Sequence, residues 1–516
     1  MDGEPEGGAT SPARDDRFRT DHLQSTLTRR SVLGSAVTLG AQGVKVVVQF
    51  ATIVVLARLL SPADFGLFAI VAAFLTIFEL FKDLGLSSAT VQRRHITHRQ
   101  VSTLFWMNVL LGTAIAGLFA FAASAIAKVY GEPVLAELAP VAALTLVLTG
   151  VAAQHLAVLR RQMRFSALAG VQTGAEIVAM AAALGAAMSG YGIWSLVIQR
   201  LAWSAVIAVG AWVATGWRPG LPGRFADVRG LVAFGGNVTA AMVLGRCAGS
   251  VDKILIGWYW GAVPLGLFER AQKLINMPIQ NVNMPLSAVA LPMLSRLADR
   301  PDRYRRAYIA IVERVALAVA PAAGLIVAAA APLVDLILGP QWGDMAPVLA
   351  WLGVSAVYMP LTYTLSWLYM SQDRTAEMLR AAAVNTVLTI GAIAIALPFG
   401  LVAVAAALAL SGALVRVPVL FWLVSRRGPL SPGDFFRMLA LPSAGAAAAA
   451  GAVAAAGSLA GVQELSNGAQ AGLFATTAFV SAFALYVAAP RGRRAIAETV
   501  TIRSLLVSNG APGLKV

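Results

Sequence analysis

Between Glu269 and Asn283, six side chains able to hold charge or donate hydrogen bonds recur at helical spacing: Glu269, Gln272, Lys273, Asn276, Gln280 and Asn283. At about 100° per residue they fall within roughly 60° of one direction, so a helix through this stretch carries them on one face. The set holds ammonium and amide donors but no nucleophile beside a base. Its chemistry is binding, and the excess of donors suits an anion. The segment is long enough to span a bilayer, where each charge near mid-span costs ~2.5–3.5 kcal/mol. Such a face cannot meet lipid and must line a polar cavity.

More charges lie inside apolar stretches. Lys45, Lys82, Arg200, Arg246, Lys253, Arg270, Lys273, Arg314 and Arg416 are basic; Glu79, Asp83, Glu176, Asp252, Glu269 and Glu313 are acidic. Several keep helical phase with polar neighbours: Thr38, Gln42, Lys45 and Gln49; Glu79, Lys82 and Asp83; Gln172 and Glu176; Thr239, Arg246, Ser250 and Lys253. Two readings compete. The charges pair and hold helices together, or they converge on a cleft that is net cationic. The surplus of bases, with amides between them, favours the cleft for the set as a whole. Lys45, Arg200, Arg246, Lys253, Arg270 and Lys273, with Gln272, Asn276 and Gln280, are then the candidates for binding an anionic cargo. Pro278, Pro285, Pro321 and Pro360 lie inside spans, as static kinks or as bending points.

Enzyme signatures are absent: no GxxxxGK[ST], HExxH, GxSxG or CxxC occurs. The single cysteine, Cys247, allows no internal disulfide, and the histidines His22, His95, His98 and His155 are scattered. His95 and His98 read as a solvated loop pair. No cofactor and no metal is expected.

The elements that must position these residues are membrane helices. The 516-residue chain is 58% hydrophobic and 13% charged, against about 25% charged residues in a soluble protein. Apolar runs of span length, parted by short loops, predict an all-α polytopic membrane protein. We count fourteen spans, near 33–59, 64–86, 101–127, 136–158, 166–188, 191–215, 230–256, 264–290, 307–331, 345–370, 376–397, 400–424, 437–460 and 468–489. Basic residues divide 29 to 2 between the two sides, which puts both termini in the cytoplasm. That asymmetry accounts for most of the net charge of +15 without nucleic acid. Thr28-Arg29-Arg30-Ser31-Val32-Leu33 looks like an export signal, but the apolar run behind it is too long for one.

A shift of 200 residues lays Gly66-Leu67-Phe68 on Gly266-Leu267-Phe268 and Leu86-Ser87 on Leu286-Ser287. This predicts two pseudo-symmetric six-helix lobes. The expected organisation is a disordered tail at 1–30, an N-lobe at 31–216 and a C-lobe at 217–424, joined by a linker at 216–230. Two further helices at 425–489 and a tail at 490–516 complete it.

Leu56-Ala57-Arg58-Leu59-Leu60-Ser61-Pro62-Ala63-Asp64-Phe65-Gly66-Leu67-Phe68 resembles the first hairpin of bacterial polysaccharide flippases of the Wzx type. Asp83-Leu84-Gly85-Leu86, Val91-Gln92-Arg93-Arg94 and Phe105-Trp106-Met107-Asn108 continue the likeness. So do Asp252-Lys253-Ile254-Leu255-Ile256-Gly257, Leu291-Pro292-Met293-Leu294-Ser295-Arg296, Ala331-Pro332-Leu333 and Leu338-Gly339-Pro340-Gln341-Trp342. The resemblance covers roughly 31–425 and implies the multidrug/oligosaccharidyl-lipid/polysaccharide (MOP) exporter superfamily. What it implies is a transporter in the bacterial cytoplasmic (inner) membrane. The implied cargo is a polyprenyl-diphosphate-linked oligosaccharide, flipped from inner to outer leaflet for capsule, exopolysaccharide or O-antigen synthesis. Implied partners are membrane lipids, a polysaccharide polymerase and a chain-length regulator. Implied drive is a Na+ or H+ gradient or the membrane potential, with Glu79, Asp83, Asp252 and Glu269 as coupling candidates. A multidrug or cation antiporter of the same superfamily is the alternative, although its cavity should be acidic and aromatic. A membrane polysaccharide polymerase fits less well, because the outward loops are short.

Overall fold

The computed structural model describes residues 27–223 and 249–495 apart from positions 84 and 94, together with isolated positions 228, 232 and 497. Side chains are described from position 40 onward, except at 80 and 460. Every regular element among the described residues is helical. The long helices are α1 (Leu27–Leu59), α2 (Pro62–Asp83), α3 (His98–Tyr130), α4 (Leu135–Arg161), α5 (Phe165–Met188) and α6 (Trp194–Thr215), followed by α7 (Ala262–Arg296), α8 (Pro301–Ala328), α9 (Ala346–Met370), α10 (Thr375–Ala396), α11 (Leu401–Ser425), α12 (Pro432–Gly457) and α13 (Asn467–Ala488).

Twelve spans among the described residues are long and apolar enough to cross a membrane. They correspond to twelve of the fourteen expected. The expected span at 230–256 falls largely outside the described residues, of which 249–260 is helical. The expected span at 264–290 is α7, which runs 35 residues and holds three prolines. At ~1.5 Å per residue it measures about 52 Å, well beyond a hydrocarbon core of ~30 Å. Its polar face keeps it below the hydropathy of the other spans.

Local sequence fixes where helices start and stop. Ser61 and Asp64 bond reciprocally at the start of α2, the Asp64 carboxylate accepting from the Ser61 amide at 2.9 Å. Thr97 and Gln100 form a capping box ahead of α3, and Gly131 ends that helix in the left-handed region at φ 68°. Ser431 with Asp434 begins α12 in the same way.

The chain divides into two compact units, Met1–Gly266 and Leu267–Val516. In the first unit α4 is the central element, packed on α2, α3 and α6. Small residues allow α3 and α4 to close up: a Cβ on Gly112 would press on the Leu146 carbonyl, and one on Gly150 on the Asn108 carbonyl. In the second unit α8 packs on α9, α12 and α13. Arg305 of α8 grips Asp434 of α12 with two hydrogen bonds of 2.7 Å. The α12–α13 pair, outside the expected repeat, is therefore bound into the second unit through α8.

One expectation needs correction. His98 is buried rather than solvated, and its Nδ1 accepts from Trp217 Nε1 at 3.0 Å. The stretch 216–223, the described part of the expected linker at 216–230, is bonded to α3. Its Gly220 and Gly223 amides donate to Ser102 and Thr103 at 2.9 and 2.7 Å, and Trp106 Nε1 donates to the Gly220 carbonyl. Trp217 fills the space between His98 and His155, whose ring stacks on Trp212 with centroids 4.4 Å apart. Burial of these aromatic rings holds the strap against α3 and α4, which composition alone does not reveal.

Candidate functional site: polar faces of the spans

In the first unit, most of the expected charges meet partners. Lys45 Nζ stands 3.9 Å from Glu176, which also accepts from Gln49 at 3.0 Å. This ties the polar face of α1 to α5. Arg200 of α6 and Glu79 of α2 form an ion pair at 2.5 Å. Lys82 donates to Thr149 at 2.6 Å. Asp83 accepts from Ser87 Oγ at 2.6 Å and from Asn108 Nδ2 at 3.1 Å.

From Asp83 a polar chain runs through the interior of this unit. Gln154 Nε2 donates to Asn108 Oδ1 at 2.8 Å, Thr90 Oγ1 donates to Gln154 Oε1 at 2.7 Å, and Arg161 donates to the Thr90 carbonyl at 3.0 Å. Asn108, Gln154 and Thr90 are fully buried and Arg161 nearly so. The sequence reading singles out none of Gln154, Thr90 and Arg161. A lone glutamine in an apolar run was the available signal, and its partner lies 46 residues away. Fully satisfied, such a chain fixes the packing of α2, α3 and α4 and keeps the cost of burying amides low.

Beyond 249, the described helical stretch holds Asp252, which is buried and accepts from the Lys253 amide at 2.8 Å. The Lys253 side chain is half-buried. Tyr130 at the end of α3 donates to the Ile254 carbonyl at 3.2 Å. Arg246 lies outside the described residues, as does Thr239.

On α7 the stripe separates into two parts. Glu269 and Arg270 are largely buried, with Arg270 Nε 2.9 Å from Glu269 Oε2 in an ion contact not aligned as a hydrogen bond. Arg270 thus stands beside the acid rather than on the open face. Lys273 and Gln280 are exposed, and Gln272 and Asn276 are intermediate. Tyr363 of α9 organises the amides: its hydroxyl donates to Asn276 Oδ1 and accepts from Gln280 Nε2, each at 3.3 Å. Trp367, one turn further, donates to Ser287 at 3.0 Å. Tyr363 was not singled out in the sequence, because an isolated tyrosine in a span gives no sign of which helix it faces.

The starts of α2 and α7 meet reciprocally. Both helices begin 200 residues apart, at Pro62 and Ala262. A Cβ on Gly66 would run into the Ala262 carbonyl, and a Cβ on Gly266 into the Pro62 carbonyl. Each glycine therefore rests on the backbone of the residue equivalent, under the 200-residue shift, to the one its counterpart rests on. Only glycine permits this approach, with the backbones touching directly.

The family model described as "Polysaccharide biosynthesis protein" matches residues 55–347, from the end of α1 to the start of α9. The chain belongs to that family. Among its relatives is the teichuronic acid biosynthesis protein TuaB of Bacillus subtilis (strain 168), 23% identical over 288 residues, which make up 55% of this chain and 59% of TuaB. Another is the succinoglycan biosynthesis transport protein ExoT of Rhizobium meliloti (strain 1021), 26% identical over 374 residues, 72% of this chain and 74% of ExoT. The chain thus spans less than two thirds of TuaB and about three quarters of ExoT. The solved structure of the lipid II flippase MurJ in an inward closed conformation superposes with a TM-score of 0.70 at 13% identity, over 92% of this chain and all of MurJ. The chain accordingly shares the helical fold of that flippase.

Proposed function

We propose that this protein carries a polyprenyl-diphosphate-linked oligosaccharide from the inner to the outer leaflet of the bacterial cytoplasmic membrane, by alternating access. On this reading the chain has fourteen spans in two six-helix lobes plus two, with both termini cytoplasmic. The observation that carries it is the face of α7. In a family of polysaccharide biosynthesis proteins, a helix longer than the bilayer presents an exposed lysine amid amides. Lys273 and Lys253 suit the diphosphate, whose charge must be offset during passage. Gln272, Asn276 and Gln280, the last two held by Tyr363, suit sugar hydroxyls. Lys45 and Arg200 pair with Glu176 and Glu79 and fix helix positions, which makes positioning their chief role. Among the acids, Asp83, Asp252 and Glu269 remain the candidates for coupling to Na+ or H+. A polymerase and a chain-length regulator would act on the product.

The test is complementation of a deletion strain. Without the protein, lipid-linked oligosaccharide should accumulate on the inner leaflet and surface polymer should be lost. Lys273→Ala and Lys253→Ala should each lower surface polymer while leaving folded protein at wild-type amounts. Normal surface polysaccharide in the deletion strain would overturn the proposal.

A further inference from the structure

Where α9 turns into α10 and α11 leaves for α12, the second unit holds a cavity of about 290 Å3. Arg380, Arg426 and Arg427 line it together with one acid, Glu377. That acid is already engaged: Arg374 donates to it at 2.6 Å, and Arg427 stands 3.5 Å away. Arg374 is itself fixed, donating to the Val424 carbonyl at 3.1 Å with its guanidinium 5.5 Å from the centre of the Tyr369 ring. These contacts brace the start of α10 against the end of α11. Arg380 and Arg426 make no ion pair with a carboxylate among the described residues. Two exposed guanidiniums thus line one cavity without a carboxylate of their own, donors placed to take an anion.

The surroundings of the cavity say what kind of anion. On α10, Val387 and Ile395 follow Arg380 by two and four turns and stay within roughly 60° of its direction. Both are exposed, at 69% and 75%. On α11, Trp422 and Arg426 stand one turn apart on one face, and Val415 lies about two turns before Trp422, in the π-helical turn Gly412–Arg416. Val415 and Trp422 are exposed, and the Arg426 guanidinium lies 4.7 Å from the centre of the Trp422 ring. The two helices pack on each other. Each therefore carries an apolar, outward-facing track along the span that ends in an arginine at the cavity, with a tryptophan at the boundary as at membrane–water interfaces. A ligand with a phosphate at one end and hydrocarbon along its length matches this arrangement, whereas a free anion would use only the cavity.

We propose that this cavity binds the phosphate headgroup of an anionic phospholipid, with Arg380 and Arg426 as its principal contacts and the acyl chains lying along α10 and α11. The site is separate from the polar face of α7, and its occupancy is read without any transport assay.

The experiment uses the full-length protein purified in detergent. Its melting midpoint is followed as phosphatidylglycerol, phosphatidylcholine or inorganic phosphate is added, for wild type and for Arg380→Gln, Arg426→Gln and the double variant. Phosphatidylglycerol should raise the wild-type midpoint and bind roughly tenfold less tightly to each single variant. Phosphatidylcholine and inorganic phosphate should give little shift. An equal response of all proteins to phosphatidylglycerol would overturn the proposal, as would an equal wild-type response to phosphatidylcholine. A shift reproduced by inorganic phosphate alone would overturn the lipid assignment and leave a simple anion site. Should the double variant fail to fold, the two single variants decide the outcome. Native mass spectrometry of the wild type, showing retained phosphatidylglycerol that Arg426→Gln loses, gives an independent reading.

Discussion

Alanine at Gly66 or Gly266 is the sharpest perturbation the structure offers. A helical glycine replaced by alanine ordinarily gains about 0.5–1 kcal/mol, because alanine loses less chain entropy on folding. Gly170 on α5 has nothing near an added Cβ, so Gly170→Ala should show that gain. At Gly66 the added carbon would fall on the Ala262 carbonyl, and at Gly266 on the Pro62 carbonyl. The obstacle in each case is main chain in a first helical turn, which cannot swing away as a flexible side chain would. Overpacking of this kind costs about 1–3 kcal/mol and outweighs the entropic gain. The sign should therefore reverse between Gly170→Ala and the other two. Because the contact is reciprocal, Gly66→Ala and Gly266→Ala should destabilise alike, and the double variant should cost less than their sum. Melting of the purified proteins in detergent, followed by size-exclusion chromatography, measures this, with surface polymer in a complemented deletion strain as the second readout. A Gly66→Ala protein that melts at or above wild type and complements fully would refute the crossing.

Glu79→Gln should destabilise the first unit by about 1–3 kcal/mol, since it leaves Arg200 without its carboxylate; partial exposure of both groups, 27% and 32%, keeps the loss below that of a fully buried pair. The exchange Glu79→Arg with Arg200→Glu should recover part of it, as read from expression level and melting. At the Arg305–Asp434 clamp the two partners should not be equivalent. Asp434 is 2% exposed and Arg305 is 40% exposed, so Arg305→Ala strands a buried carboxylate, at about 2–3 kcal/mol. Asp434→Asn keeps a capping oxygen and leaves only a solvated arginine, and should cost less; equal melting of the two variants would count against the clamp.

Much of the architecture was legible because its causes are local in sequence. Span lengths follow from hydropathy, whereas the caps Ser61–Asp64, Thr97–Gln100 and Ser431–Asp434 stand out only where the structure shows the helix starts. The 200-residue shift that aligns Gly66 with Gly266 also aligns the observed starts of α2 and α7. The candidate site was legible only as a set of faces. Periodicity placed Lys45, Glu79 and Lys273 on polar stripes, yet it could not say that Lys45 stands beside Glu176, Arg200 beside Glu79, or that Tyr363 holds Asn276 and Gln280. Those partners sit on other helices, from 83 to 131 residues away along the chain. Likewise His98 looked solvated by composition, and its bond with Trp217 showed otherwise.

The amino-acid sequence by itself determined a helical membrane chain, its cationic bias and the polar stripe on α7, because solvation and helical period act residue by residue. The tertiary structure alone decided which charges are paired and where main chain touches main chain. It also decided that Arg380 and Arg426 share a cavity, because two helices of similar composition can pack through many faces. Only the packed arrangement fixes which of those faces meet.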